Sequence, residues 1–479
     1  MSPPMISKAA ARYTGAGGKE HCSLCRHFSP RRGGRCARVL GDISPMGWCK
    51  LFSREIRAMV PDASSFNGGG GPAPALSLDF MTPGTLSPLI TFTRASTARY
   101  FDSAGVMQTA TTNTPRWDYD PATLALRGLL LEDQRTNSIR NSTMVGAVVA
   151  GAIPTNWILT NVAGVTVAVT GLGTEGGISY IDFSFAGTAG ATATITIAAD
   201  TTTQIAAATG QLWSGSAYVR LLAGTVVGTL STGLSARLAG GAFAADYAEP
   251  VVPTSAPLGQ QRTVCARTVG VASVAFVQPK PITLALTNGQ AVNFTLRLGA
   301  PQIELGDFAT SYIPTTTVAV TRNIDSCLIP PANMAAWFTG SPGGSWFAEF
   351  DYFDATPSNS RVIGRPDTAG GVSPLLLTGA RNIAQTDGAT IATANATTAG
   401  AVTKACSTWA AGSARICANG GAVALSASLA TGYGAFTAAG ISLLSVGAAL
   451  GADNTSGHIR AVRYWPTILT DAQMQALTA

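Results

Sequence analysis

Trp346-Phe347-Ala348-Glu349-Phe350-Asp351-Tyr352-Phe353 is the stretch whose reading sets the fold class: a short, aromatic-rich run that reads as a strand. Companions flank it. Val165–Val169, Ala191–Ile197, Leu212–Leu221 and Val292–Leu298 precede it, and His458–Trp465 follows. From Leu76 onward such runs, rich in Thr, Val and Ile, are separated by Gly, Asn, Asp and Pro at spacings of about 8–12 residues. That texture predicts a mainly β chain of antiparallel β-sandwich (jelly-roll) domains. Helical periodicity is scarce. The clearest helix is the last, with Thr470 as N-cap and Asp471 in the first turn of 471–477, where a carboxylate complements the helix dipole.

The 479 residues are 46% hydrophobic and only 12% charged, against about 25% charged in an average protein. A disordered solvating chain is excluded, and so is a membrane span, because no apolar run reaches about 18 residues. Residues 1–57 hold eleven Lys/Arg against three acids, a net +8, while the remainder is near −2. The basic character therefore belongs to one small module, and a nucleic-acid-binding surface across the protein is not supported. Met1–Ala11 lacks an apolar core, so a Sec signal is not expected. The punctuated stretch Pro61–Pro72, with Gly68-Gly69-Gly70-Gly71, reads as a linker. Further boundaries are expected near Asn141 and Thr321–Asp325. The predicted organisation is 1–57, a metal module; 58–76, linker; 77–140, a connecting segment; and two sandwiches, 141–324 and 325–479.

Four of the eight cysteines cluster as Cys22-x2-Cys25-x10-Cys36-x12-Cys49. Four thiolates in a short basic module suit a metal centre. Structural zinc usually takes two close ligand pairs, whereas an iron–sulfur cubane accepts one close pair plus two isolated thiolates. The text Cys36-Ala37-Arg38-Val39-Leu40-Gly41-Asp42-Ile43, then Gly47-Trp48-Cys49-Lys50-Leu51-Phe52, resembles the high-potential iron–sulfur proteins, as does Lys8–Tyr13 upstream. The resemblance covers about residues 6–55. It implies a [4Fe-4S] cluster on Cys22, Cys25, Cys36 and Cys49, with Tyr13, Phe28, Trp48 and Phe52 packing round it to exclude water. Zinc remains the alternative metal, and two disulfides a further one. A unit this small needs a staple to fold, and no partner redox motif occurs elsewhere, so a structural cluster is expected.

Leu78-Asp79-Phe80-Met81-Thr82-Pro83-Gly84, Ile90–Asp102, Pro115–Pro121 and Leu126–Asn137 resemble a segment of tailed-bacteriophage structural proteins that precedes lectin-like sandwiches. Leu298–Gly306 with Ala309–Thr315 is of the same style. The resemblance implies a virion component: a tail fibre, tail-tip or head-fibre protein assembled in the bacterial host cytoplasm. Its partners would be other virion proteins and a host cell-surface glycan, and its oligomer a symmetric trimer. Read as residues alone, Arg94, Arg116, Arg127 and Arg135 suit an Arg–carboxylate framework. Asp118 with Asp120 or Glu132 forms a conceivable catalytic pair. Residues 141–324 are similar to carbohydrate-binding modules, in which Trp157, Trp213, Tyr218 and Tyr180 would either stack on sugars or fill the core. Residues 325–479 resemble concanavalin A-like and laminin-G-like domains, on Trp346–Tyr352, Arg415–Gly421 with its Asn419-Gly420 turn, and His458–Pro466.

Other signals are weak. Asp367, Asp387, Asp453 and Asn454 carry oxygen ligands but no compact calcium loop, and no metal is expected there. Cys406 and Cys417 flank a hairpin and are expected as buried thiols. Phosphate-binding and zinc-protease motifs are absent, and the three histidines, His21, His27 and His458, are not read as part of a nucleophile–His–carboxylate arrangement. The expectation is a protein that is not an enzyme. A virion polysaccharide depolymerase and a redox protein with appended binding domains are the alternatives.

Overall fold

The computed structural model describes the strand pairs Phe28–Ser29 and Arg35–Cys36, residues 72–338, and 343–479 except for 356–359, 366–371, 379–380, 388–390, 411–412, 427–435, 437–439 and 445–455. The chain divides into two units, Met1–Gly68 and Gly69–Ala479. In the first, Phe28–Ser29 pairs antiparallel with Arg35–Cys36, placing Phe28 opposite Cys36. The remaining expected cluster residues, Tyr13, Cys22, Cys25, Trp48, Cys49 and Phe52, lie outside the described residues.

The second unit is mainly β, in several antiparallel sheets. Its first sandwich has one sheet ordered Val165–Glu175, Ile178–Thr188, Ala291–Leu305, Leu212–Gly224, Arg262–Thr268. The facing sheet is ordered Ile158–Thr160, Ala193–Ala198, Val274–Leu286, Thr229–Leu238, Phe243–Pro250. Strand Ala291–Leu305 shows the logic. From Val292 to Leu298 each apolar residue is buried and each intervening polar one is more exposed, because successive side chains point to opposite faces. From Gly299 to Glu304 both faces are covered. Phe185 and Phe294 stack with ring centroids 4.9 Å apart, within a core that includes Phe183, Leu296, Ile195 and Leu284.

The second sandwich pairs a seven-stranded and an eight-stranded sheet. Residues 77–140, expected as a connecting segment, contribute to both. Thr91–Thr93 pairs with Ser326–Ile329 at the edge of one sheet. Leu76–Asp79 and Leu126–Leu131 each pair with Gly457–Trp465 in the other, and Arg116–Tyr119 extends that sheet along Leu126–Leu131. The core gathers Trp346, Phe350, Tyr352, Ile416, Val462 and Tyr464. The closing helix, Asp471–Thr478, is capped as expected: Thr470 accepts from the Gln473 backbone N–H, and the Gln473 side chain accepts from the Thr470 N–H in a capping box. Among the described residues no helix is long and apolar enough to cross a membrane.

Candidate functional site

A cavity of about 360 Å3 opens where the two sandwiches meet. Its walls come from three places: Arg99, Phe101, Asp118, Asp120 and Arg127 of the segment woven into the second sandwich; Tyr218 and Arg262 of neighbouring strands in the first; and Thr310, Ser311 and Tyr312 of the chain leaving it. Direct links across the junction include the Met107 N–H donating to the Gly176 carbonyl at 2.7 Å, and Gln260 Nε2 to the Pro121 carbonyl at 3.1 Å.

Behind the cavity lies a buried ionic network. Arg116 donates through Nη1 to Glu132 (2.7 Å), to the Arg99 carbonyl (2.9 Å) and to Ser311 Oγ (3.0 Å), and through Nη2 to Asp325. Arg94 reaches Asp325 at 2.9 Å, Arg322 pairs with Glu132, and Glu132 accepts from both the N–H and the hydroxyl of Ser311 at 2.6 Å. Burial opposes the Glu132 charge, but Arg322 and Arg116 outweigh it and hold the carboxyl below the ordinary range. The expected Arg–carboxylate framework is thus present in Arg94, Arg116 and Arg127, the last 2.6 Å from Asp120 at the cavity wall, while Arg135 lies over the Phe308 ring at 4.8 Å.

At the cavity wall Asp118 accepts the Phe101 N–H at 2.8 Å and faces His458 Nε2 at 3.1 Å. His458 Nδ1 lies 2.8 Å from Asp351, on the neighbouring strand end. Burial works against a charged ring here, yet Asp351 and Asp118 together push the imidazole up to about 9. At neutral pH it is an imidazolium donating through both nitrogens. Gly128 makes the approach possible. It is paired opposite Asp118 with φ +128°, and a Cβ there would lie 2.5 Å from the carbonyl oxygen of Ile459, the neighbour of His458. Asp120 accepts from the Ala122 and Thr123 amides and from Arg127; burial opposes these bonds, and they carry its carboxyl down to about 2.

Asp118, Asp120 and Glu132, the expected catalytic pairings, all line this one cavity, each engaged by its own cation. Of the four aromatics considered for sugar stacking, Trp157 and Trp213 belong to the core, and Tyr180 lies beneath the Arg297 guanidinium at 3.4 Å. Tyr218 lines the cavity. Cys406 and Cys417 are direct cross-strand partners and free buried thiols. Asp367, Asp453, Asn454, His21 and His27 lie outside the described residues, as does the Asp387 side chain. No metal-binding group of His, Cys, Asp and Glu occurs among the described residues.

No family model matches the chain. An iron oxidase of Acidithiobacillus ferrooxidans is 44% identical over 48 residues, 10% of this chain and 51% of that protein. The chain therefore spans about half the length of this curated relative. Similar solved structures include the CBM40 domain of the Ruminococcus gnavus IT-sialidase bound to α2,3-sialyllactose (15% identity, 30% of this chain and 87% of that one, TM-score 0.24). Another is the tripod from the baseplate of bacteriophage Tuc2009 (11%, 50% and 74%, TM-score 0.23). A third is Trypanosoma rangeli sialidase (11%, 81% and 77%, TM-score 0.25). Likenesses at such TM-scores carry no inference about ligand or activity. An enzyme stands among the similar structures, so the expectation of a protein that is not an enzyme is withdrawn, with no activity assigned in its place.

Proposed function

We propose that the protein is a virion component of a tailed bacteriophage, a tail-tip or fibre protein. Its lectin-like sandwiches attach to a host-surface glycan, and its N-terminal module docks it to other virion proteins as a homotrimer. The observation that carries this reading is the segment Leu78–Asn137. It resembles phage structural proteins in sequence, and its strands wall the cavity between the two sandwiches. Weak binding at one cavity per chain would gain from three copies on one axis.

The N-terminal module is read as holding a [4Fe-4S] cluster on Cys22, Cys25, Cys36 and Cys49, with zinc as the alternative. The donor set fits: four thiolates with one close pair. The register setting Phe28 opposite Cys36 brings one expected packing aromatic across from one expected ligand. When bound, the cluster supplies four Fe–S cross-links to a chain segment too short for a large core.

Optical and EPR spectra with iron and zinc analysis of the anaerobically purified full chain test the metal; zinc without iron overturns the cluster. Cys49→Ser should lose the metal and leave particles without the protein, and normal incorporation overturns the docking role. Co-sedimentation of the protein with host surface polysaccharide tests attachment, and absence of binding overturns it. A second reading, a polysaccharide depolymerase, is favoured by the three carboxylates at the cavity wall. Release of reducing sugar from that polysaccharide is its signature.

A further inference from the structure

The cavity holds three carboxylates and three arginines, but their pairing is unequal. Glu132 is taken up by Arg116 and Arg322, Asp120 by Arg127, and Asp118 by His458. Two guanidinium groups are left over. Among the described residues the Arg99 side chain makes no hydrogen bond or ion pair. Arg262 donates from Nη2 to two neutral acceptors, Ser216 Oγ at 3.1 Å and the Thr310 carbonyl at 2.6 Å, while its Nε is buried without a partner. Tyr218, 3% exposed, lines the same space beneath Arg262, and its hydroxyl makes no hydrogen bond among the described residues.

Buried polar groups are almost always satisfied, and an orphan calls for a missing partner. Here Arg262 Nε is such an orphan, and Tyr218 and Arg99, which line the cavity with it, have a hydroxyl and a guanidinium that bond to no described residue. Its size is at the small end of ligand pockets, with room for one sugar unit. Phe101, Tyr312 and Phe353 supply apolar surface for the face of a ring.

We propose that this cavity binds a single saccharide unit bearing a negatively charged group, with Arg99 and Arg262 receiving the anion and the Tyr218 hydroxyl bonding a ring substituent. The proposal deepens the glycan-attachment reading by naming the class of sugar. A planar guanidinium matches a carboxylate and a phosphate equally well, so both sources share this chemistry.

The test is calorimetric titration of the full chain with glucuronic acid, galacturonic acid, glucose 6-phosphate and glucose. At least one charged sugar should bind tenfold or more tightly than glucose. Arg99→Ala should remove that preference, weakening the charged sugar at least tenfold with glucose unchanged. Arg99 has no partner to lose, so this variant should keep its melting temperature. Tyr218→Phe should weaken the charged sugar several-fold. Binding of the uronic acids alone, or of the phosphate alone, identifies the source of the anion and upholds the site. Equal binding of glucose, no binding of any charged probe, or an Arg99→Ala protein that binds like wild type overturns it. Host polysaccharide still retained by Arg99→Ala overturns this site while keeping the attachment reading. Polysaccharide bound by no form, with charged sugars still bound through Arg99, overturns that reading while keeping the site.

Discussion

His458 and Asp118, 340 residues apart in the chain, meet at 3.1 Å in the buried wall of the cavity. On its other side the ring meets Asp351 at 2.8 Å. One imidazolium thus ties a strand end of the woven segment to two strands of the second sandwich, and aims Asp118 at the cavity.

The charge on His458 makes stability depend on pH in a defined direction. The folded ring titrates at about 9, above the ordinary 6.5. Its contribution is therefore fully present below about pH 6.5 and is lost as pH rises through about 9. The wild-type melting temperature should fall across that window, and His458→Gln should flatten that part of the profile. At neutral pH the variant should lose up to about 3–5 kcal/mol, because Asp118 and Asp351 are then left with only Arg127 and Arg460, each 3.9 Å away. Melting curves of both proteins from pH 6 to 10 check this; parallel profiles would show that His458 is not charged.

The Arg116 pairs with Glu132 and Asp325 should behave as a buried ion network. Both carboxylates and the guanidinium are inaccessible to solvent. Arg116→Met removes one cation and leaves two carboxylates short, so a loss of about 3–5 kcal/mol is expected. Salt should barely change it, because buried pairs are poorly screened. Urea unfolding at low and high ionic strength measures both effects. A loss under about 1 kcal/mol would place Arg116 among surface-like pairs.

How much of this was legible in the sequence follows from the range of each interaction. Sandwich texture and the Thr470 cap are local, and they read directly. So does the facing of Cys406 and Cys417, which depends only on a short hairpin. The pairing of Leu76 with Tyr464 and of Thr93 with Ser326 is not local. Alternation of side chains reports which face is buried, but not which strand lies alongside. Asp118 and Glu132 were visible as a possible pair, and Arg116 as a framework arginine, while the cations His458 and Arg322 were not, because they are distant in the chain. The available signal was the histidine in strand His458–Trp465, a residue that burial tolerates only with partners.

The four cysteines of the second unit should be inert in the native protein. Cys265, Cys327, Cys406 and Cys417 are buried and free. Burial pushes the Cys265 thiol up to about 11 and raises the other three as well. Thiolate, the reactive form, is therefore scarce and shielded. Iodoacetamide labelling followed by peptide mass mapping should find these four unmodified in buffer and modified in denaturant. Native labelling of Cys406 or Cys417 would mean that their hairpin opens readily.

Gly128 should be a sensitive glycine near the cavity. Its φ of +128° is one that side-chain-bearing residues rarely adopt, and its missing Cβ leaves space for the Ile459 carbonyl. Gly128→Ala would force strand Gly457–Trp465 away from Leu126–Leu131 and pull His458 off Asp118. We expect a loss of about 1–3 kcal/mol from overpacking, plus part of the His458 contribution. The two parts separate by pH. The overpacking loss should persist at pH 10, where His458 is neutral in both proteins, and the remainder should appear only below about pH 9. If the variant's deficit is the same at pH 7 and pH 10, the glycine shapes the sheet without positioning the histidine.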